Sequence, residues 1–118
     1  MSIIKGHFFE RRAEQYLKQH GLKTLRRNYN SPMGEIDLIM QEKTNLIFVE
    51  VRYRRHCNQG SALESIDHFK EQALIKTAQY FIAQNKCYQH YISRFDVIAI
   101  DGKHPYTLEW VQNAIEET

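Results

Sequence analysis

Two acidic residues, Asp37 and Glu50, each lie within a short apolar run, at residues 34–40 and 46–55. Both runs are rich in β-branched and aromatic residues and repeat with a period of two, which predicts two strands. The polar residues 41–45 between them are few enough to form the turn of an antiparallel hairpin. Such a hairpin would bring the two carboxylates together.

A turn centred on residues 43–44 would place Asp37 across from Glu50 and Glu35 across from Arg52. Two directly opposed carboxylates repel each other. Two explanations stay open. The pair could belong to a solvated polar face, as in many half-exposed hairpins. Alternatively, a divalent cation bound by both could offset the repulsion, with water and a substrate phosphate completing its shell.

Alternation along the predicted hairpin divides its side chains between two faces. In the first strand, one face is expected to carry Glu35, Asp37 and Ile39, and the other Ile36, Leu38 and Met40. In the second strand, Phe48, Glu50 and Arg52 are expected to share a face opposite Val49 and Val51. The acidic pair is therefore expected within an otherwise apolar hairpin.

A helix predicted over about residues 7–20 supplies a third carboxylate. Gly21 provides its stop signal, and its apolar residues recur at helical spacing: Phe9, Ala13, Tyr16 and Leu17. Glu10 borders this apolar stripe, so its side chain either shields the flank of the stripe or reaches over the edge of a sheet beneath the helix. Glu14, one turn further on, is expected to face outward.

Basic residues are grouped around the hairpin. Arg26 and Arg27 are adjacent in an outer strand predicted over residues 23–30, so alternation points them to opposite faces. Arg54 and Arg55 begin the loop after the second hairpin strand. A solvated charged loop is one explanation. Phosphate binding is the other, because the planar donors of a guanidinium match a phosphate group.

A second long helix is predicted to end near Asn85. Ser61 with Glu64 forms one capping box at its start, and Ser65 or Asp67 offers a second. Its inward face, which we interpret as core, is expected to consist of Ile66, Phe69, Ala73, Thr77 and Phe81.

Residues 94–100 form a further predicted buried strand. A strand–helix–strand crossover requires that it lie parallel to the strand carrying Glu50. Asp96 is expected to have a structural role there, as an ion-pair partner. An edge strand at 106–111 follows, and residues 111–118 are expected to form a frayed tail. The predicted fold is α/β, a mixed sheet with one helix on each face, in the order α-β-β-β-α-β-β.

The composition is that of one ordinary domain. The 118 residues are 42% hydrophobic and 25% charged, so we expect a single domain over residues 1–118. A net charge of +2 is too small to identify a polyanionic partner by itself. Cys57 and Cys87 lack metal-ligand spacing, so structural zinc is not expected. Without a signal peptide or a membrane span, we expect a cytoplasmic protein with reduced thiols.

The ordered set Asp37, then Glu50-Val51-Arg52, resembles the signature of the PD-(D/E)XK nucleases, with Arg52 where a lysine is expected. More closely, Gly34-Glu35-Ile36-Asp37-Leu38-Ile39 followed by Phe48-Val49-Glu50-Val51-Arg52 resembles the YraN-like family of small uncharacterised bacterial proteins. That family is considered similar to archaeal Holliday junction resolvases. The resemblance covers nearly the whole chain, through Gly6, Glu10, Ala13, Leu17, Gly21, Lys70, Ala78 and Arg94-Phe95-Asp96-Val97.

This resemblance implies a restriction-endonuclease-like fold and a site for Mg²⁺ or Mn²⁺. Asp37, Glu50 and the Val51 carbonyl would hold the metal, and Glu10 would lie near it. Arg52 would stand in for the catalytic lysine, but a guanidinium cannot act as a base. Lys70 is an alternative source of an amine. Contacts to nucleic acid are expected from Arg26, Arg27, Arg54, Arg55 and Lys70.

Three functions are consistent with these residues. The first is a metal-dependent endonuclease acting on branched or damaged DNA, with RNA also open as a ligand. The second is a nucleic-acid-binding module of the same fold that has lost its chemistry and serves repair or recombination. The third is a protein–protein adaptor in which the acidic pair is structural. A homodimer would suit a branched junction, because such a junction is two-fold symmetric.

Overall fold

Five strands form one sheet, and an α-helix lies on each of its faces. The computed structural model describes residues 3–55 and 64–116. The helices are α1 (Ile3–Gln19) and α2 (His68–Gln84), and a 3₁₀ helix follows at Lys86–Tyr88. The strands are β1 (Lys23–Ser31), β2 (Gly34–Glu42), β3 (Asn45–Arg54), β4 (Ile92–Asp101) and β5 (Thr107–Ile115). No helix in these described ranges is long and apolar enough to cross a membrane.

The strands lie side by side in chain order, β1-β2-β3-β4-β5. Neighbouring strands are antiparallel except β3 and β4, which are parallel and joined through α2. The parallel pair needs this long crossover because a tight turn can connect only antiparallel strands. The topology confirms the predicted mixed α/β sheet and its order α-β-β-β-α-β-β.

Alternating side chains of the sheet supply two separate cores. On the α1 face, Phe9, Ala13 and Leu17 pack with Leu38, Met40, Ile47, Val49, Ile98 and Ile100. On the α2 face, Leu74, Ile75, Ala78 and Phe81 pack with Ile36, Ile39, Leu46, Phe48, Phe95, Val97 and Ala99. Both faces of the central strands are therefore buried, which confirms the prediction of one helix on each face.

The inward face of α2 matches the prediction only in part: Thr77 and Phe81 are buried as expected, and so is Ile66 just before the helix. Its buried residues are Leu74, Ile75, Thr77, Ala78 and Phe81, whereas Phe69, predicted to face inward, is 84% exposed. Nine residues span about two and a half helical turns, so Phe69 points away from the side that Ala78 buries. The helix begins after Asp67, whose side chain accepts a 2.8 Å hydrogen bond from the Lys70 N–H. The alternative cap at Ser61 lies outside the described residues.

Strand β5 extends into the segment expected to be a frayed tail. It continues to Ile115, which pairs with Phe95 and is buried. The reason is Asp96, which is buried and binds β5 at two points: it accepts hydrogen bonds from the Trp110 indole N–H and the Asn113 backbone N–H, both at 2.9 Å. It also pairs with Arg94 at 3.1 Å. Asp96 therefore has the structural role that its sequence context predicted.

Helix α2 approaches the start of β2 closely at Gly34. The φ of Gly34 is +152°, and a Cβ there would lie 3.3 Å from both Ala73 Cβ and Thr77 Oγ1. A larger residue would therefore meet α2 and also be strained. The Ser31 hydroxyl donates to Thr77 Oγ1 at 3.2 Å, which adds a polar tie to the same contact. These contacts hold the first half of α2, including Lys70, over the hairpin.

Candidate metal and nucleic-acid site

The β2–β3 hairpin has the register predicted from the sequence. Its paired residues run from Glu42 and Asn45 beside the turn to Leu38 and Val49. The paired residues stop one position short of the predicted Asp37–Glu50 pair. The turn is therefore centred on residues 43–44, as expected.

Alternation along β2 breaks at Asp37, contrary to the expectation that Ile36 and Leu38 share a face. Ile36 packs in the α2-side core and Leu38 in the α1-side core. The neighbouring strand is irregular at the same level, because Asn28 has a φ of +49°. The Asp37 carboxylate accepts a 2.8 Å hydrogen bond from the Val51 N–H of β3. The break thus fixes one Asp37 oxygen against the β3 backbone.

Glu50 is a buried carboxylate with one oxygen in contact with two cations. Its Oε2 lies 3.1 Å from Arg52 Nε and 3.5 Å from Lys70 Nζ. Arg52 Nε is buried and makes no hydrogen bond despite this short approach, so its contact is one of charge and not of aligned donation. Glu50 Oε1 is buried and has no hydrogen-bond partner within the described protein. A buried carboxylate oxygen without a donor is costly when the group is ionised, and native sites that contain one commonly bind an ion or water there.

Burial raises the pKa of Glu50 to about 7, and Asp37 acts in the same direction, both through its charge and through a side-chain hydrogen bond that needs one of the two carboxyl groups to be protonated. Lys70 and Arg52 oppose this rise but do not cancel it. The local field therefore lacks positive charge when both carboxylates are ionised. A divalent cation beside Asp37 and Glu50 would supply that charge.

Glu10 approaches Asp37 from the α1 side. Burial raises the pKa of Glu10; the 2.7 Å hydrogen bond donated by Asn28 opposes the rise, and the charges of Asp37 and Glu35 add to it. Glu50 follows Phe48 by two residues and so lies on the α2 face. Glu10 and Glu50 are therefore neighbours of Asp37 from opposite faces of the sheet.

These carboxylates fit a cation site built on two protein side chains, not on three. Among residues 3–55 and 64–116, no group of three or more His, Cys, Asp or Glu side chains is close enough to hold one metal ion. Glu10, Asp37 and Glu50 therefore do not together form one metal-binding group within these described residues, although Glu10 lies near Asp37. Val51, the other predicted ligand, contacts Asp37 through its backbone N–H. A hard cation with few carboxylate ligands and several waters, as Mg²⁺ prefers, suits this donor set.

Two of the predicted phosphate-binding arginines are already paired with carboxylates. Arg27 contacts Glu14 through Nε at 2.9 Å and through its terminal nitrogen at 2.7 Å. Arg54 forms a two-pronged pair with Asp101 at 2.7 and 2.9 Å. Their charges are largely neutralised, so these two are weaker candidates for phosphate contacts than the sequence indicated.

Glu14 is buried, contrary to the expectation that it faces outward. Burial alone would raise the pKa of Glu14, but hydrogen bonds from Arg27 and Thr24 lower it below its ordinary value. The arginine that pairs with it lies on the strand beneath the helix, so helical periodicity alone could not reveal the partner.

Arg26 and Arg55 stay exposed at the surface. The Arg26 guanidinium lies 5.9 Å from the centre of the Phe81 ring, on the α2 side, whereas Arg27 reaches the α1 side. This confirms that the adjacent arginines of β1 point to opposite faces. Arg55 lines a surface cavity on the α1 side together with Lys103.

Sequence reasoning missed Asn28 and Asp101 as partners of charged residues. Asn28 bridges Glu10 and Glu35, with donor–acceptor distances of 2.7 and 3.4 Å. The signal for Asn28 was weak: asparagine tolerates a positive φ better than most residues, but nothing local marked the position. Asp101 of β4 contacts Arg54 of β3 because the parallel β3–β4 register pairs these two residues, which are far apart in the sequence.

Comparison with known proteins identifies the family of this chain but names no reaction for it. A solved structure described as "The structure of Pyrococcus Furiosus SfsA in complex with Ca2+" is similar with a TM-score of 0.36 and 11% identity. That likeness covers 97% of this chain, which spans 64% of the SfsA chain.

Sequence relatives are much closer. A UPF0102 protein of Legionella pneumophila subsp. pneumophila is 43% identical over 116 residues, covering 98% of each chain. A UPF0102 protein of Vibrio parahaemolyticus is 44% identical over 112 residues, covering 95% of this chain and 92% of the relative. The family model described as "Uncharacterised protein family UPF0102" matches residues 9–100. The chain therefore belongs to UPF0102, the YraN-like family that its sequence resembles.

Proposed function

We propose that this protein binds nucleic acid and hydrolyses phosphodiester bonds of branched or damaged DNA with the help of Mg²⁺ or Mn²⁺ bound at Asp37 and Glu50. The observation that carries the proposal is the buried, unpartnered Oε1 of Glu50 beside a second carboxylate. A purely structural acid of this depth is expected to have both oxygens hydrogen-bonded, as Asp96 does in the same sheet.

Asp37 and Glu50 would hold the cation, and the Val51 carbonyl is the further ligand that the nuclease signature implies. A bound divalent cation would lower the pKa of a water molecule and neutralise charge on the phosphate. Asp37 needs little rearrangement for this role, because the Val51 N–H already fixes its Oδ2. Its other oxygen can then be directed toward the cation.

Lys70 is better suited than Arg52 to the part that a lysine plays in the nuclease signature. Its amine lies 3.5 Å from Glu50 Oε2 and is partly exposed, so it can also meet a water molecule or a phosphate. An ammonium can release and regain a proton, whereas a guanidinium stays charged at every accessible pH. We assign Lys70 the positioning of the attacking water and Arg52 the supply of positive charge beside Glu50.

The proposal is tested by cleavage of a panel of DNA substrates: a supercoiled plasmid, a blunt duplex, a flap and a four-way junction, each with Mg²⁺, Mn²⁺ or EDTA. The parent is expected to nick the branched substrates only with a divalent cation. Glu50→Gln and Asp37→Asn are expected to abolish nicking. Glu109→Gln serves as the matched control, because this glutamate is exposed on β5 away from the site.

Three other results would change the conclusion in different ways. DNA binding without cleavage by the parent would favour a non-catalytic binding module, consistent with Arg52 in the lysine position. Neither binding nor cleavage would favour a protein–protein adaptor. Cleavage that persists in both carboxylate variants would place the chemistry elsewhere on the molecule.

A further inference from the structure

A cavity of about 290 Å³ on the α1 side is lined by aromatic and basic residues that the proposed chemistry does not use. We call it the aromatic pocket; its lining residues are Phe8, Phe9, Tyr53, Arg55, Lys103 and Tyr106. No carboxylate is among these six. The combination of flat apolar walls with cationic rims distinguishes this pocket from the candidate metal site, which is acidic.

The inner wall of the aromatic pocket is rigid. The rings of Phe9 and Tyr53 stack with centroids 3.9 Å apart, and Tyr106 meets both edge-on at 5.2 and 6.1 Å. The Tyr53 hydroxyl donates a 2.8 Å hydrogen bond to the Gly102 carbonyl, which fixes that ring further. A pre-formed aromatic wall can receive a planar ligand at little cost in conformational entropy.

The outer wall of the aromatic pocket is formed by Phe8, whose ring is partly exposed to solvent. Phe8 has 43% of its surface exposed, although Phe9 beside it is buried. The Arg12 guanidinium lies 5.8 Å from the centre of the Phe8 ring and 5.6 Å from that of Tyr106. An exposed aromatic ring flanked by a guanidinium is a surface on which a nucleobase can stack, because both groups present planar π-faces.

Arg55 and Lys103 are exposed at the rim and supply positive charge where a phosphate attached to such a base would lie. A ligand that carries a planar ring and an adjacent negative group therefore matches the pocket in both shape and charge. A nucleotide within a single strand has these two parts, whereas a base inside an intact duplex cannot leave its stack without cost.

We propose that the aromatic pocket binds the base of an unpaired nucleotide and that Arg55 and Lys103 contact the phosphate of the same strand. This inference rests on the proposed function, because it assigns that site a preference for nucleic acid with a single-stranded segment. Tyr53 follows Glu50 by three residues, or roughly 10 Å along β3. Because Glu50 lies on the α2 face and the pocket on the α1 face, a strand must pass round this end of the sheet to engage both sites.

The test is direct binding in EDTA, so that no cleavage intervenes. Fluorescence anisotropy would measure the affinity of the parent for a labelled oligothymidylate and for a blunt duplex of equal length. Phe8→Ala is expected to weaken single-strand binding by roughly 5- to 150-fold, the range of one lost base-stacking contact. Duplex binding should change less than twofold. Phe8→Trp should retain single-strand binding, because indole also stacks.

Phe69→Ala is the matched control, since Phe69 is the exposed phenylalanine of α2, on the other side of the sheet. It should leave both affinities unchanged. If Phe8→Ala weakens neither ligand, or weakens both equally, the pocket proposal is wrong while DNA binding and metal-dependent nicking by the parent still stand. If the parent binds neither oligonucleotide yet nicks the branched substrates with Mg²⁺, the pocket proposal is wrong and the proposed function stands; if it also fails to nick them, both proposals fail. If the parent binds free thymidine monophosphate but does not bind the oligonucleotide, the pocket is a small-molecule site and the inference is also overturned.

Discussion

Lys70 Nζ lies 3.5 Å from Glu50 Oε2, so the crossover helix brings an amine to the buried carboxylate of β3. The position two residues after Glu50, where the nuclease signature has its lysine, is occupied by Arg52. Helix α2 thus provides Lys70 and strand β3 provides Arg52, and both cations lie beside the Glu50 carboxylate. This relationship makes the roles of the two residues separable by experiment.

Glu50 should make the stability of the metal-free protein depend on pH. Burial raises its folded-state pKa from 4.5 to about 7. Ionisation of Glu50 therefore opposes folding. The contribution of Glu50 to the free energy of unfolding is fully present below about pH 4.5, declines as the pH rises, and is lost above about pH 7. The shift corresponds to about 3 kcal/mol. Glu50→Gln should remove this decline, making the variant more stable than the parent at about pH 8 by up to that amount.

Urea unfolding in EDTA across pH 4 to 9 would measure this effect. The comparison should use Glu109→Gln, which removes an exposed carboxylate and should leave the parent's pH profile intact. Parallel profiles for the parent and Glu50→Gln would show that Glu50 does not titrate in this range.

Mn²⁺ should stabilise the folded parent through Asp37. A ligand that binds only the folded state adds about 2.7 kcal/mol at a concentration one hundred times its Kd. Asp37→Asn should abolish this gain, because a neutral amide replaces one of the two charged ligands. Glu35→Gln is the control, since Glu35 is an exposed carboxylate on the same strand. Thermal unfolding over a Mn²⁺ titration decides the matter; equal stabilisation of parent and Asp37→Asn would exclude this residue as a ligand.

Lys70→Gln should reduce cleavage far more than DNA binding. General acid–base groups contribute about 10²- to 10⁴-fold to rates, so we expect a loss of roughly 100-fold or more in single-turnover nicking. Lys76→Gln, an exposed lysine on the same helix, controls for the loss of one positive charge. A similar loss of rate in both lysine variants would indicate that Lys70 acts only through general electrostatics.

Arg52→Lys should restore part of the activity that Lys70→Gln removes. The buried Arg52 Nε lies 3.1 Å from Glu50 Oε2, so a lysine there would bring an ammonium to the same carboxylate. Nicking rates of the two single variants and the double variant, compared as a double-mutant cycle, measure this rescue. If the double variant is no faster than Lys70→Gln, position 52 cannot supply the amine.

Exposed and paired arginines should differ in their effect on DNA affinity. Arg55→Gln should lower the slope of log affinity against log salt by about 0.7 on single-stranded DNA, the value for one phosphate contact. Arg27→Gln should leave the slope nearly unchanged, because Glu14 already neutralises Arg27. Affinity measured at several salt concentrations separates the two. An unchanged slope for Arg55→Gln would remove this residue from the phosphate contacts.

Local sequence was sufficient to predict the hairpin and the sheet around it. The apolar runs containing Asp37 and Glu50 have a period of two, and the polar break at 41–45 allows little choice of turn, so the register followed from positions close in the chain. The parallel β3–β4 pairing also followed, because a long connection that contains a helix typically joins parallel neighbouring strands.

The phase of α2 was not determined locally. Phe69 is apolar like Leu74 and Ala78 but points away from the side that those two share, so periodicity allowed more than one inward face. Packing against the sheet selects the face that fills the space between the strands, and the close contact at Gly34 fixes the helix there.

What the sequence by itself determined was which chemical groups are available: the carboxylates of Asp37 and Glu50 in one hairpin, with Arg52 where a lysine was expected. Only the tertiary structure decided how these groups are used. It turned Asp37 against the Val51 N–H, left Glu50 Oε1 without a partner, and brought Lys70 to the same carboxylate. The physical reason is that hairpin register is set by neighbours in the chain, whereas the meeting of Lys70 with Glu50 depends on where α2 rests on the sheet.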